Sequence, residues 1–276
     1  MSASTDTVRE SRRQVLGDPP SSGRLRWPAK ADLTIAVLAL FCLWEIIARM
    51  GLVNTVFLPR ASTVLVAALK LLRSSEVWSA LESTAIELVV SFLISAVIGI
   101  AIGFALGWSR WLRDAFAPVV ALVMSTPKSL FLPLLLVLIG VGEESKIVYG
   151  VISAIFYIAT AVMGGVQGVD RKLFTAARSF GASRLDTVLS VAIPGALPAI
   201  ATGLWLGLTH AFTGILIAEL FVSQGGVGAL ILHYSSLTQT ENVFALTLLL
   251  TLTAIVAGTV WNLAMNKWLS HGAEKR

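Results

Sequence analysis

Residues 83–107 read STAIELVVSFLISAVIGIAIGFALG, a run with a single charged residue, Glu87, and no proline. A helix needs about 20 predominantly apolar residues to cross the hydrocarbon core of a bilayer, and this run exceeds that. It is one of a series. Residues 114–141, 145–165, 195–222 and 243–268 are also long and apolar enough, and residues 31–50 form an earlier run. The whole chain agrees: 56% of its 276 residues are hydrophobic and 13% are charged, about half the charged share of a soluble domain. Too little polar surface remains to cover a globule, so the excess faces lipid. The fold expected is an all-α integral membrane protein with about six transmembrane helices.

The gaps between runs fix the expected orientation. Residues 1–30 carry six basic residues together with Pro19-Pro20 and Ser21-Ser22-Gly23, a composition that reads as a disordered basic tail. Run 31–50 is followed by Arg49-Met50-Gly51-Leu52 rather than a small-residue cleavage site, so it is expected to stay as a first span and not to be removed as a signal peptide. Residues 31–270 form one membrane domain, and 271–276 a short tail. The segments on the side of both termini hold fifteen Lys and Arg; the opposite loops hold four, Arg60, Lys70, Arg73 and Lys146. The positive-inside rule places both termini in the cytoplasm. The net charge of +5 is therefore a matter of orientation and not of nucleic-acid binding. Stretch 60–82 is amphipathic and too charged to span, and reads as a short helix at the outer surface.

The third run contains Pro118, Pro127 and Pro133. Proline removes a backbone donor and clashes with the preceding turn. Such breaks survive in a membrane where protein or water satisfies the freed carbonyls, so this helix is expected to be interrupted beside a cavity. Gly99, Gly103 and Gly107 on the second run, and Gly203 and Gly207 on the fifth, have the spacing that lets helix backbones approach closely.

The largest loop on the terminal side is GVDRKLFTAARSFGASRLDTVLSVAIPGALPAI, residues 168–200. Phe174, Ala177, Gly181, Leu185 and Val188 recur at helical spacing, while Arg171, Lys172, Arg178, Arg184 and Asp186 keep the segment out of hydrocarbon. Gly181 suits a helix end and turn, Ser183 the cap of the next helix, and Pro194 the first turn of the fifth span. Two short helices meeting at an angle, with an apolar ridge, call for a partner.

These residues resemble a known pattern. Ala176-Ala177, three residues, Gly181, nine residues and Val191-Ala192-Ile193-Pro194 are similar to the EAA loop of ATP-binding-cassette importer permeases, with Thr175 where that family usually has Glu. Residues 126–150, with the turn residues Gly140, Gly142, Glu143 and Lys146, look like the nitrate/sulfonate/taurine branch. So does Glu219 followed by Gly226 and Gly228. The resemblance implies a permease of the type I importer kind in a bacterial inner membrane. It implies a second permease subunit, giving a homodimer or a pseudo-symmetric pair, two cytoplasmic ATPase subunits and an external solute-binding protein. The coupling loop would be residues 168–194, through Thr175, Ala176, Ala177, Arg178, Gly181, Arg184 and Pro194. The solute would be a small anion such as a sulfonate, nitrate or taurine, or else a pyrimidine precursor or aromatic acid. A secondary transporter remains an alternative, though a heavily broken helix occurs in only one half.

Within the spans, Glu45 and Arg49 stand one turn apart near the end of the first run and read as an ion pair or as interfacial snorkelling. Glu87 invites the same account. Lys128 follows Pro127 about mid-way through the third run, and either lines the translocation path, drawing an anion, or contacts a carbonyl freed at the break. His210 reads as a core histidine or a path residue, and Glu219 as a group at the pore mouth or the interface. Three scattered histidines and the lone Cys42 give no metal-ligand spacing and no disulfide. No P-loop is present and the Gly225–Gly228 turn does not match a dinucleotide motif, so no cofactor and no catalytic activity are expected of this chain.

Overall fold

A computed structural model describes residues 29–222 and 224–273 of the chain. All but the end of the expected basic tail 1–30 lies outside the described residues. Two compact units divide at Leu52. The first contributes α1 (Ala29–Arg49), the helix expected of run 31–50. Its Glu45 and Arg49 form the anticipated pair, 2.7 Å apart across one turn.

The second unit holds ten further helices: α2 (Ala61–Leu71), α3 (Ser75–Trp108), α4 (Arg110–Ser125), α5 (Phe131–Ile139), α6 (Glu143–Gln167), α7 (Arg171–Ser179), α8 (Arg184–Thr187), α9 (Ile193–Val222), α10 (Val227–Ser236) and α11 (Thr240–Ala273). Helices α3, α6, the continuous run α8–α9 and α11 are each long and apolar enough to cross a membrane, and the bent pair α4–α5 makes a fifth. With α1 these account for the six expected runs. Among the described residues there is no strand, as a lipid-spanning backbone that must satisfy its own polar groups requires. Hydroxyls are returned to the helices in the same way: Ser91 donates to the Glu87 carbonyl at 2.7 Å and Thr160 to that of Phe156 at 2.9 Å.

Three boundaries differ from expectation. Helix α3 begins at Ser75, not 83, and its 34 residues span about 51 Å, well beyond a hydrocarbon core of about 30 Å. Only Ala61–Leu71 of stretch 60–82 is a separate short helix. It buries Ala61, Val64, Ala67, Ala68 and Leu71 and packs on α11. Helix α11 continues to Ala273, into the segment expected to be a tail.

The core is a three-helix sandwich with α6 in the middle, flanked by α3 and α9. The expected glycine rows make it. A Cβ on Gly99 would lie 2.8 Å from the Cβ of Ile158, one on Gly107 2.7 Å from that of Val166, and one on Gly103 would run into the Ala159 carbonyl. On the other side Gly203 abuts Ala161 and Gly207 abuts Ile158. Ile158, Val162, Val166 and Ala196 are buried where the three helices meet.

The third span is interrupted as anticipated, at Pro127, while Pro118 lies inside α4 and Pro133 inside α5. Helix α4 stops at Ser125, a tight turn covers Lys128–Leu130, and α5 leaves at 83° to α4. Leu132 of α5 is then buried against Tyr149 and Ala218. Pro194 is the second residue of α9 and so stands in its first turn, as expected, although the helical run continues back through Val188–Ala192 and α8 to Arg184. Val188–Ala192, just before it, is wound one residue wider than an α-helix, with the Ile193 amide donating to the Val188 carbonyl. Such a wide turn gives room where proline offers no donor to the carbonyl four residues back.

Candidate functional site

The elbow between α6 and α9 is built from local chemistry. The Asp170 carboxylate accepts from the Lys172 amide at 2.9 Å and caps α7. At the other end Gly181 takes φ +80°, a conformation that favours glycine. Its amide donates to the Arg178 carbonyl at 2.9 Å, and the Ala182 amide to that of Ala177 at 3.0 Å. That pair of bonds is a Schellman stop. Two residues later Ser183 starts α8 with a reciprocal cap: its Oγ accepts from the Asp186 amide at 3.2 Å while its own amide donates to the Asp186 carboxylate at 3.1 Å. The turn expected at Gly181 and the cap expected at Ser183 are both present, and they fix the angle between α7 and α8.

The apolar ridge is not where the spacing put it. Phe174 turns inward and meets the Trp108 ring edge-on at 5.9 Å, and Ala177 and Val188 are half-buried. The exposed apolar side chains are Leu173, Phe180, Leu185 and Leu189, with Phe180 91% exposed. Thr175, Ala176, Arg178 and Arg184 are exposed beside them, and the Thr175 hydroxyl is turned back to the Arg171 carbonyl at 3.2 Å. Helical periodicity missed Phe180 because the Schellman stop ends the helix around it.

A second cluster lies half-way along the bundle. Lys128, at the bend of the broken span, donates to the Tyr157 hydroxyl at 3.4 Å and holds its ammonium 4.7 Å from the centre of that ring. His210 joins the cluster, its ring stacking on Tyr157 with centroids 3.5 Å apart and planes 9° from parallel. Two residues singled out in the sequence are thus brought together by a third, Tyr157, that was not. Tyr157 stands about 16 Å along α6 from Lys146 and about 15 Å from Gln167, which is mid-bundle. Pro127 is exposed next to the break. All three members of the stack are partly accessible. No carboxylate among the described residues lies within ion-pair distance of Lys128.

The third cluster is at the end of the bundle opposite the elbow, and it corrects two assignments. Lys146, counted above with the outer loops, is fully buried at the start of α6, and Glu87 is neither snorkelling nor paired on its own helix. The two form an ion pair across α3 and α6. Lys146 also donates to the Gln224 carbonyl at 3.0 Å. Glu219 is fully buried rather than facing a pore mouth. Its carboxylate accepts from Thr84 Oγ1 at 2.6 Å and from the Gly228 amide at 2.7 Å, and Thr84 accepts in turn from the Val227 amide at 2.9 Å. Gly226, at φ +89°, leaves room for the Glu219 carboxylate that a Cβ would overlap. The acidic residue and the two glycines noted in the sequence are one construction, in which a buried carboxylate pins the turn between α9 and α10.

Comparison with known proteins agrees with this architecture. Residues 95–270 match the family described as "Binding-protein-dependent transport system inner membrane component". The taurine transport system permease protein TauC of Escherichia coli (strain K12) is 28% identical over 228 residues, covering 80% of this chain and 83% of TauC. The putative aliphatic sulfonates transport permease protein SsuC of Bacillus subtilis (strain 168) is 28% identical, covering 82% of this chain and 81% of its own. The riboflavin transport system permease protein RibX of Chloroflexus aurantiacus is 31% identical over 248 residues, 89% of this chain and 92% of RibX. In fold, the chain is similar to one from the MetNI methionine ABC transporter in inward-facing conformations. The TM-score is 0.52 at 21% identity, over 67% of this chain and 95% of that one. The chain belongs to the family of binding-protein-dependent transport system inner membrane components, the multi-pass permease subunits of ABC transporters.

Proposed function

We propose that this permease pairs with a second permease subunit to form the membrane path of an ATP-driven importer. Two ATPase subunits would grip the elbows at residues 168–194, which lie in the cytoplasm. A binding protein would deliver a small sulfonate- or taurine-like anion to the opposite face. ATP binding closes the ATPase pair, the two elbows are drawn together, and the spans rock from inward- to outward-facing.

The observation that carries the reading is the elbow itself. It is made rigid by a Schellman stop and a capping box in sequence, yet leaves the Phe180 and Leu185 side chains exposed. Exposed apolar patches on an otherwise ordered surface favour a protein partner, and a stiff joint transmits displacement. In proteoliposomes holding the permease, its ATPases and its binding protein, Gly181→Val should abolish ATP-driven uptake while leaving the permease inserted. Normal uptake and normal coupled ATP hydrolysis in that variant would count against the reading.

The anion is supported by Lys128. An ammonium at mid-membrane depth is costly, and among the described residues no carboxylate pairs with this one, which meets the Tyr157 hydroxyl and ring and so suits a negatively charged visitor. A second reading rests on the RibX similarity and on the Tyr157–His210 stack, whose rings suit a heteroaromatic solute. The two separate by mutation. Lys128→Ala lowers anion uptake about ten- to hundredfold if a charge-assisted hydrogen bond is lost, whereas Tyr157→Ala is the damaging change if an aromatic is carried.

A further inference from the structure

Beneath the elbow, where α3 ends, α4 begins and α7 and α8 turn away, the bundle has a recess of about 630 Å³. Its lining includes Arg110, Arg113, Arg171, Arg178 and Arg184, from three different helices, and no acidic side chain. Asp114 stands nearby, 3.5 Å from Arg110 and 3.9 Å from Arg113, but its side chain is 63% exposed and it offers one charge against five. A concave basic site of this size takes a ligand of several polar atoms, and guanidinium groups match phosphate oxygens in geometry as well as charge.

We infer that this recess holds the phosphate headgroup of an anionic phospholipid. Its place in the fold favours a lipid over a free anion. Trp108 lines the recess, stacked on Phe104 of the preceding turn at 6.1 Å, and Trp111 is 75% exposed one residue past Arg110. Indoles mark the level at which spans leave the hydrocarbon. From Arg113 the apolar side chains Phe116, Val119 and Leu122 follow at intervals of three along α4, all exposed, a track for an acyl chain leading away from the charges. Basic pockets between spans at this level are where anionic headgroups bind. A lipid seated here touches Arg171 and Arg178 of the elbow's first helix, so the leaflet's composition bears on how the elbow is held. The inference does not depend on which partner grips the elbow.

The test uses the purified full chain in nanodiscs of phosphatidylcholine with phosphatidylglycerol added stepwise, bound lipid being read by native mass spectrometry. The wild type prefers phosphatidylglycerol to phosphatidylcholine, and millimolar inorganic phosphate does not displace it. Arg113→Gln with Arg171→Gln reduces that preference about thirtyfold, at about fivefold per basic group. Arg113→Lys with Arg171→Lys, which keeps the charge and serves as the folding control, retains most of it. Equal retention of the two lipids by the wild type overturns the inference. Displacement by inorganic phosphate overturns it in favour of a free-anion site, and unchanged preference in the glutamine pair overturns it in favour of lipid bound elsewhere.

Discussion

Glu87 and Lys146 are buried charges that neutralise one another between α3 and α6. Removing one partner from such a pair strands the other without water, at a cost of about 3–5 kcal/mol, whereas replacing both with apolar residues of similar size is often near neutral. Glu87→Ala should therefore lower the unfolding free energy in detergent by about that amount, and the pair Glu87→Met with Lys146→Met by clearly less. Equal losses in the single and double variants would show that the ion pair is not what matters at the site. Glu219 makes a related case: Glu219→Ala leaves the Thr84 hydroxyl and the Gly228 amide without their acceptor. The turn at 224–228 should then become accessible to protease or labelling reagents while the elbow end is unchanged. None of this pairing could be read from sequence, because Glu87, Lys146 and Glu219 are separated by dozens of residues and sit in apolar runs with nothing local to announce a partner. The same holds for Tyr157, an ordinary membrane tyrosine until the bend between α4 and α5 brings Lys128 to it and α9 stacks His210 on its ring.

Elements whose form depends on neighbouring residues were legible. Gly181 and Ser183 act within a few positions of themselves, and they stop and start helices as their chemistry requires. Pro127 marks the break in the third span for the same reason, while Pro118 and Pro133 are carried within α4 and α5. The glycine rows also gave the packing face of α3, since a four-residue repeat stays on one side of a helix. Gly103→Leu should force α3 from α6, because even a single Cβ there meets the Ala159 carbonyl. Overpacking of this kind costs about 1–3 kcal/mol, and a thermal shift should detect it. The same substitution at Gly164, which has open space around it, should cost much less. Helix ends were less legible where the hydropathy pattern continues past the bilayer: α3 starts two turns early, and the wide turn at Val188–Ala192 joins α8 to α9 just ahead of Pro194.

At the scale of the whole molecule the bundle has two ends with different chemistry. At one, buried carboxylates and Lys146 lock α3, α6, α9 and the α9–α10 turn together. At the other, arginines and unpartnered apolar side chains crowd around a stiff elbow. The proposed rocking would use this asymmetry, with a firm joint at the elbow and spans packed through glycine faces. Moving Lys146 from the loops into the core leaves three basic residues in the opposite segments, which sharpens the charge bias behind the proposed orientation. If a cytoplasmic ATPase seizes the elbow, a photo-crosslinking side chain placed at Phe180 in intact cells should give one adduct, with the ATPase subunit, whose yield changes when ATP is depleted. Adducts confined to lipid, or to a protein outside the membrane, would contradict the proposal.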